Sequence, residues 1–264
     1  MIYKARLELS FKDLDQLAKK LEFCRENDIL KINVPCKGNI KKDLLIDAVE
    51  FIGTYYQQFD VVYHYSFYHQ FYKNKSYSYD KFIKFLEIIR SYKNKEILLI
   101  SGSQKRNNFE VLDILEYLKL DLRNKVKIGV AYNPYFEEIR ELNIERERLF
   151  NKLNSGLINS IWLQFGSGFH NLIKEINFIR EIKKSKVDIY GSIFIPSKQN
   201  LARFKFRPWR GVFLSKEYLD SLETSKIITK NILEIYIDNK VIPLIESECS
   251  TEKQLTEVRN FIDL

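Results

Sequence analysis

The feature that most constrains this chain is an alternation repeated eight times: a short run of β-branched and aliphatic residues, then a longer stretch whose apolar residues recur at helical spacing. Strands that alternate with helices build parallel sheets, because parallel neighbours need a crossover to return the chain. The strand candidates are residues 2–9, 29–34, 60–65, 97–100, 126–131, 158–165, 187–195 and 241–245. Between them run stripes such as Leu14, Leu17, Leu21 and Cys24, or Leu172, Ile176 and Ile179. Eight such units over roughly 250 residues predict a closed (β/α)8 TIM barrel in one domain spanning 1–264. An open doubly wound sheet is the runner-up, and it lacks a GxGxxG turn after the first strand. Residues 211–214 could add a ninth short strand.

Helix ends are partly legible. Asp80 is a candidate N-cap for the helix marked by Phe82, Phe85 and Ile89, and Thr251 with Gln254 has capping-box spacing. A fifth helix is expected over 145–154, with Leu149, Phe150 and Leu153 inward and Gly156 ending it in a left-handed turn.

Composition removes several classes. No apolar run approaches the ~18 residues of a membrane span, and the charged start through Lys4 and Arg6 argues against a secretory signal. Cys24, Cys36 and Cys249 are an odd, scattered set, which fits a reducing cytoplasm better than a disulfide framework. His64, His69 and His170 are too dispersed for a zinc site, and neither GxSxG nor a Walker loop is present. The formal charge of +8 and pI of about 9.1 permit anionic partners, but acids and bases interleave along most helices as solvated faces.

In a barrel of this kind chemistry collects where strands run into their βα loops. The polar residues at those points are Glu8, Asn33, His64, Ser66, Ser101, Ser103, Tyr132, Asn133, Gln164, Ser192 and Glu246. Their order and spacing resemble the methylenetetrahydrofolate reductase family over nearly the whole chain. Leu7, Glu8 and Leu9 resemble that family's Phe-Glu-Phe first strand. Val62, Tyr63, His64, Tyr65 and Ser66 resemble its third, and Ala131, Tyr132, Asn133 and Pro134 its fifth strand end. The strongest stretch holds Glu145, Lys152, Asn154, Gly156 and Gln164, and residues 188–196 resemble the family's seventh strand.

The resemblance implies a flavoprotein oxidoreductase in which NAD(P)H reduces FAD and the flavin passes hydride to a folate-bound one-carbon unit. It implies Glu8 as general acid, Gln164 and Ser103 at the substrate, and His64, Ser101, Gly102, Tyr132, Glu145 and Lys152 at the cofactor, with no metal. The chain departs from the pattern at three places. Ser101, Gly102 and Ser103 stand where the family has Arg-Gly-Asp, Ser10 and Phe11 replace its Pro-Pro, and no aromatic follows the seventh strand near 198–201. The loss of both charges around Gly102 motivates a competing expectation, a folate- or flavin-binding barrel without redox activity that serves as a companion or regulatory protein. A basic nucleic-acid module is the third expectation, and a homo-oligomer is left open.

Each residue also has a plainer reading. Glu8 could be a salt-bridged strand carboxylate, His64 a packed imidazole, Tyr132 a structural aromatic and Lys152 an exposed helix lysine. Gln164, set in an apolar strand, needs either a core network or a ligand to satisfy it. The aromatic and basic run at 65–79 reads either as a lid or stacking surface or as an anchored loop. The run at 203–210 reads as an anion-binding patch or as ordinary helix packing.

Overall fold

Strand residues point alternately to opposite faces, so a closed sheet sends one set inward and the other to the surrounding helices. The computed structural model describes residues 5–36, 42–93, 96–101, 110–120, 126–183 and 187–262. Its strands are β1 (Arg6–Glu8), β2 (Lys31–Val34), β3 (Asp60–Ser66), β4 (Glu96–Ile100), β5 (Lys127–Tyr132), β6 (Ile158–Leu163), β7 (Asp188–Ile193) and β8 (Ile242–Ile245). Each pairs in parallel with its neighbours, and β1 pairs with β8 through Arg6 opposite Leu244 and Leu7 opposite Ile245. The sheet therefore closes as a single-domain (β/α)8 barrel, as the alternation predicts.

The helices are α1 (Leu14–Glu26), α2 (Leu44–Tyr55), α3 (Lys75–Ser91), α4 (Val111–Leu120), α5 (Ile139–Asn154), α6 (Phe169–Ile182), α7 (Lys198–Phe206), α8 (Lys216–Asp220), α9 (Leu222–Asp238) and α10 (Glu252–Ile262). The seventh unit carries three of them. Residues 211–214 add no ninth strand: Phe213 makes one isolated bridge, to Gly166.

Parity divides the apolar residues into two populations. Tyr63, Tyr65, Ile97, Leu99, Ile128, Val130, Ile161 and Leu163 join the main core between sheet and helices. Val62, Leu98, Trp162, Tyr190 and Leu244 form a separate cluster inside the barrel. There the Trp162 and Tyr190 rings stack at 3.9 Å and 7°, a flat apolar layer beneath the C-terminal ends of the strands.

Local signals correct two helix starts. α3 begins at Lys75, capped by Asn74, whose side chain accepts from Tyr77 N at 2.9 Å, and Asp80 lies inside the helix. An earlier Asn with a free turn of chain behind it satisfies the first amides, so Asp80 has no cap to make. α5 begins at Ile139, six residues before the expected start at 145. Its early turns hold the buried Leu142, while Ile139 and Ile144 are exposed, so the apolar residues there do not form one clear stripe. Phe150 is 44% exposed rather than inward, while Leu149 is buried. Gly156 does end α5 with φ of 75°. At α10, Thr251 accepts from Gln254 N at 3.3 Å, but Gln254 returns its side chain to Ser250 N, one residue before the cap. No helix among the described residues is long and apolar enough to cross a membrane.

Gly129 lies at a register shift between β5 and β6. A Cβ there would sit 2.4 Å from Trp162 Nε1 and 2.6 Å from Ser160 Oγ. Gly129→Ala should cost about 1–3 kcal/mol of stability, the range for overpacking a filled core. Urea denaturation measures it, and an unchanged midpoint would mean that the apolar layer is not packed against this backbone.

Candidate functional site

The inward-facing polar residues gather at two levels, below and above the apolar layer. Below it, Arg6 of β1 makes four hydrogen bonds. Its Nε donates to Asn33 Oδ1 at 2.7 Å, Nη1 to Asp60 Oδ2 at 3.0 Å, and Nη2 to the carbonyls of Ile32 at 2.7 Å and Asp60 at 2.8 Å. Nearby, Glu96 accepts from Ser160 Oγ at 3.0 Å. Burial raises its carboxyl above the usual range, with Arg6 and Ser160 opposing.

Above the layer lies a cavity of about 260 Å³, walled by Glu8, Cys36, His64, Asn133, Glu145, Gln164, Ser192 and Glu246 over Leu98, Ile100, Trp162 and Leu244. This is the C-terminal end of the barrel, where the sequence analysis places the chemistry. Glu8 Oε2 is 3.9 Å from His64 Nδ1, and His64 Nε2 is 2.8 Å from Asn33 Nδ2. Gln164 Oε1 accepts from Phe165 N at 3.0 Å, so its amide nitrogen is the end left for other partners. Gln70 Nε2 donates to Cys36 Sγ at 3.3 Å, and burial pushes that thiol up. Among the described residues no group of histidines, cysteines and carboxylates has the arrangement of a metal site.

The residues singled out from the sequence part company here. Glu8, His64, Glu145 and Gln164 line the mouth together. Lys152 of α5 is not in that wall: its Nζ donates to Ala131 O at 3.3 Å, and burial pulls its ammonium below the usual value while Glu145 opposes. Glu145 Oε1 accepts from Asn133 N at 3.1 Å. Ser101 Oγ accepts from Val111 N at 3.2 Å, at the start of α4. Gly102 and Ser103 lie outside the described residues.

Tyr132 contributes to the rim, but its ring points the other way. Its hydroxyl donates to Glu175 of α6, which Arg146 of α5 grips from Nε at 2.9 Å and from Nη2 at 2.5 Å. Tyr132 stands one residue out of phase with the inward set, so its ring is not placed to stack on a ligand in the mouth. Two groups escaped the sequence reading. Glu175 shares the inward stripe of Leu172, Ile176 and Ile179, a carboxylate on an apolar face that marks a buried pair. Arg6 has the same parity as Glu8 on β1, which in a barrel sends both inward.

The two aromatic and basic runs are packed only in part, and most of 203–210 is exposed, Phe206 to 80%. In 65–79, Tyr65 and Phe67 join a ring cluster with Phe82 and Phe85, while Lys42 and Lys81 sit 4.5 and 5.4 Å from the Tyr72 ring. In 203–210, Phe204 enters a small core with Phe165, Phe194, Leu201 and Tyr218. Arg203 lies 4.8 Å over Trp209, and Lys205 pairs with Asp220 at 2.7 Å.

No protein-family model matches the chain, and no curated protein does. Solved structures share its fold. An uncharacterized protein from Clostridium thermocellum that binds two copies of 5-methyl-5,6,7,8-tetrahydrofolic acid superposes with a TM-score of 0.63 at 12% identity, over 98% of this chain and 92% of that one. A thermostable aldo-keto reductase in complex with the inhibitor epalrestat gives 0.55 at 12% identity, over 99% and 90%. A thermostable chitinase domain from Pyrococcus furiosus gives 0.52 at 11% identity, over 92% and 83%. At these identities the likeness establishes the (β/α)8 barrel as the class of fold.

Tyr132→Phe removes one donor from a buried carboxylate. It should cost about 1.5–3 kcal/mol, the range for a hydrogen bond to a charged group. Thermal or urea denaturation checks this, and full retention of stability would place the hydroxyl elsewhere than on Glu175.

Proposed function

We propose that the protein binds a reduced folate in the barrel mouth. The observation that carries this reading is the chemistry of the cavity wall: Glu8, Glu145 and Glu246, with Gln164 and Ser192, stand around a flat apolar floor. Such a wall is rich in acceptors, and it suits a planar heterocycle whose edge carries amino and amide N–H groups. A pterin has that edge, and a carboxylate can take two parallel hydrogen bonds from it much as it does from a guanidinium. The cavity volume is close to the lower end of ligand sites, ~300–1,000 Å³, which matches the pterin head with the remainder of the folate extending outward. The Clostridium thermocellum barrel binds a ligand of this class, and the sequence resemblance to methylenetetrahydrofolate reductase points the same way.

On this reading the floor residues Trp162 and Leu244 keep water from the ring plane, Gln164 orients the heterocycle through its amide nitrogen, and Glu8 holds its polar edge. FAD is the cofactor that the resemblance implies, and this reading does not use it. Tyr132 is turned to Glu175, Ser101 Oγ is engaged at α4, and no Lys or Arg is among the described residues lining the cavity to meet a pyrophosphate. No step is therefore routed through a flavin, and NAD(P)H has no role in this reading. The flavin-dependent reductase is the second reading. It is favoured by one observation, that Glu145 and Lys152 both turn to the end of β5.

Two measurements on the purified protein separate these accounts. Calorimetric titration with 5-methyltetrahydrofolate should show saturable binding, and Glu8→Gln should weaken it about ten- to a hundred-fold, the loss expected for a charge-assisted hydrogen bond. The visible spectrum should lack a flavin band. A protein that carries FAD and oxidises NAD(P)H would restore the reductase, and one that binds neither folate nor flavin would end both readings.

A further inference from the structure

The four groups that connect Arg6 to Glu8 leave one arrangement of protons. A guanidinium has only donors, so Arg6 Nε at 2.7 Å makes its partner on Asn33 the oxygen Oδ1. Asn33 is fully buried, and its other end is then the amide nitrogen, facing His64 Nε2 at 2.8 Å. That nitrogen has only hydrogens to give, so Nε2 must accept, and the imidazole carries its proton on Nδ1. Nδ1 is the atom 3.9 Å from Glu8 Oε2. At that distance the contact is electrostatic rather than a direct hydrogen bond. This tautomer still makes the ring nitrogen nearest the carboxylate the one that carries hydrogen. Asp60, whose side chain is 54% exposed, anchors the far end through the ion pair with the 2% exposed Arg6.

We infer that Arg6, acting through Asn33, fixes His64 as the Nδ1–H tautomer and so sets a donor beside Glu8, which meets a ligand's N–H edge as an acceptor. Arg6 and Asn33 are positioning residues and Glu8 is the ligand contact. The identity of the ligand rests on the folate reading above, whereas the tautomer does not. The role differs from the general acid that the sequence resemblance assigns to Glu8, and it accords with a barrel that holds a folate without opening a one-carbon bridge.

The tautomer is read from side-chain ¹⁵N NMR of the ligand-free protein at neutral pH, with His64 assigned by substituting His69 and His170. The expected spectrum has a protonated Nδ1 and an unprotonated Nε2. Asn33→Asp keeps the acceptor for Arg6 but presents oxygen to the ring, and it should move Nε2 to the protonated position. An Nε2–H tautomer or an imidazolium in the unsubstituted protein overturns the inference, and that spectrum needs no variant to fold. The folate titration supplies the second arm, because glutamine mimics a protonated acid and can still donate. If folate binds and Glu8→Gln retains full affinity, Glu8 is a donor and the inference fails while the folate reading stands. If the tautomer is as expected and no folate binds, the positioning chain is upheld and the folate reading is the part that falls.

Discussion

Closure of the barrel rests on a strand of three residues. β1 must pair with both β2 and β8, and its residues Arg6, Leu7 and Glu8 have no freedom to choose a face. Leu7 goes to the core under the helices, so Arg6 and Glu8 go inside. A guanidinium buried in a barrel is costly unless nearly every donor finds an acceptor. Asp60, Asn33 and the backbone at residues 32 and 60 supply them. That solution ties together the first three strands, and its last link, Asn33, touches His64. The constraint that closes the sheet also orients the groups at its mouth.

The apolar layer separates two kinds of charge. Beneath it Arg6 is satisfied by Asn33, Asp60 and backbone carbonyls, and Glu96 accepts from Ser160, so their work is structural. Above it the wall holds three carboxylates around a cavity. On the proposed reading, an acceptor-rich surface over an apolar floor favours N–H edges over carboxylate or phosphate ends. A second buried carboxylate, Glu175, sits outside the sheet and is bound on both oxygens by Arg146, with Tyr132 on one of them. It pins α5 and α6 to the end of β5, and α5 is the helix that carries Glu145 to the mouth.

The strand ends show how far sequence reading carries toward a site. Glu8, His64, Gln164, Ser192 and Glu246 were all found by collecting polar residues where strands run into loops, and all five line one cavity. Tyr132 meets the same criterion and touches the rim, but its hydroxyl is turned to Glu175. One position in phase separates the two outcomes, because neighbouring strand residues face opposite sides. Arg6 read only as a charge near the start of an apolar stretch, although its separation of two from Glu8 held the information. Glu175 is visible in principle as a carboxylate on the apolar stripe of α6.

The sequence by itself determined the order of elements, their approximate limits and the closed parallel sheet. Those depend on local periodicity, on β-branched runs and on glycine at the end of α5, all of which act over a few residues. Only the tertiary structure decided which strand-end side chains meet. Nothing local in Asn33 or His64 says that they touch across a separation of 31 residues, or that an arginine on β1 orients both. The phase of each strand's alternation is set by its register against two neighbours, and the register of all eight is set together when β1 closes on β8.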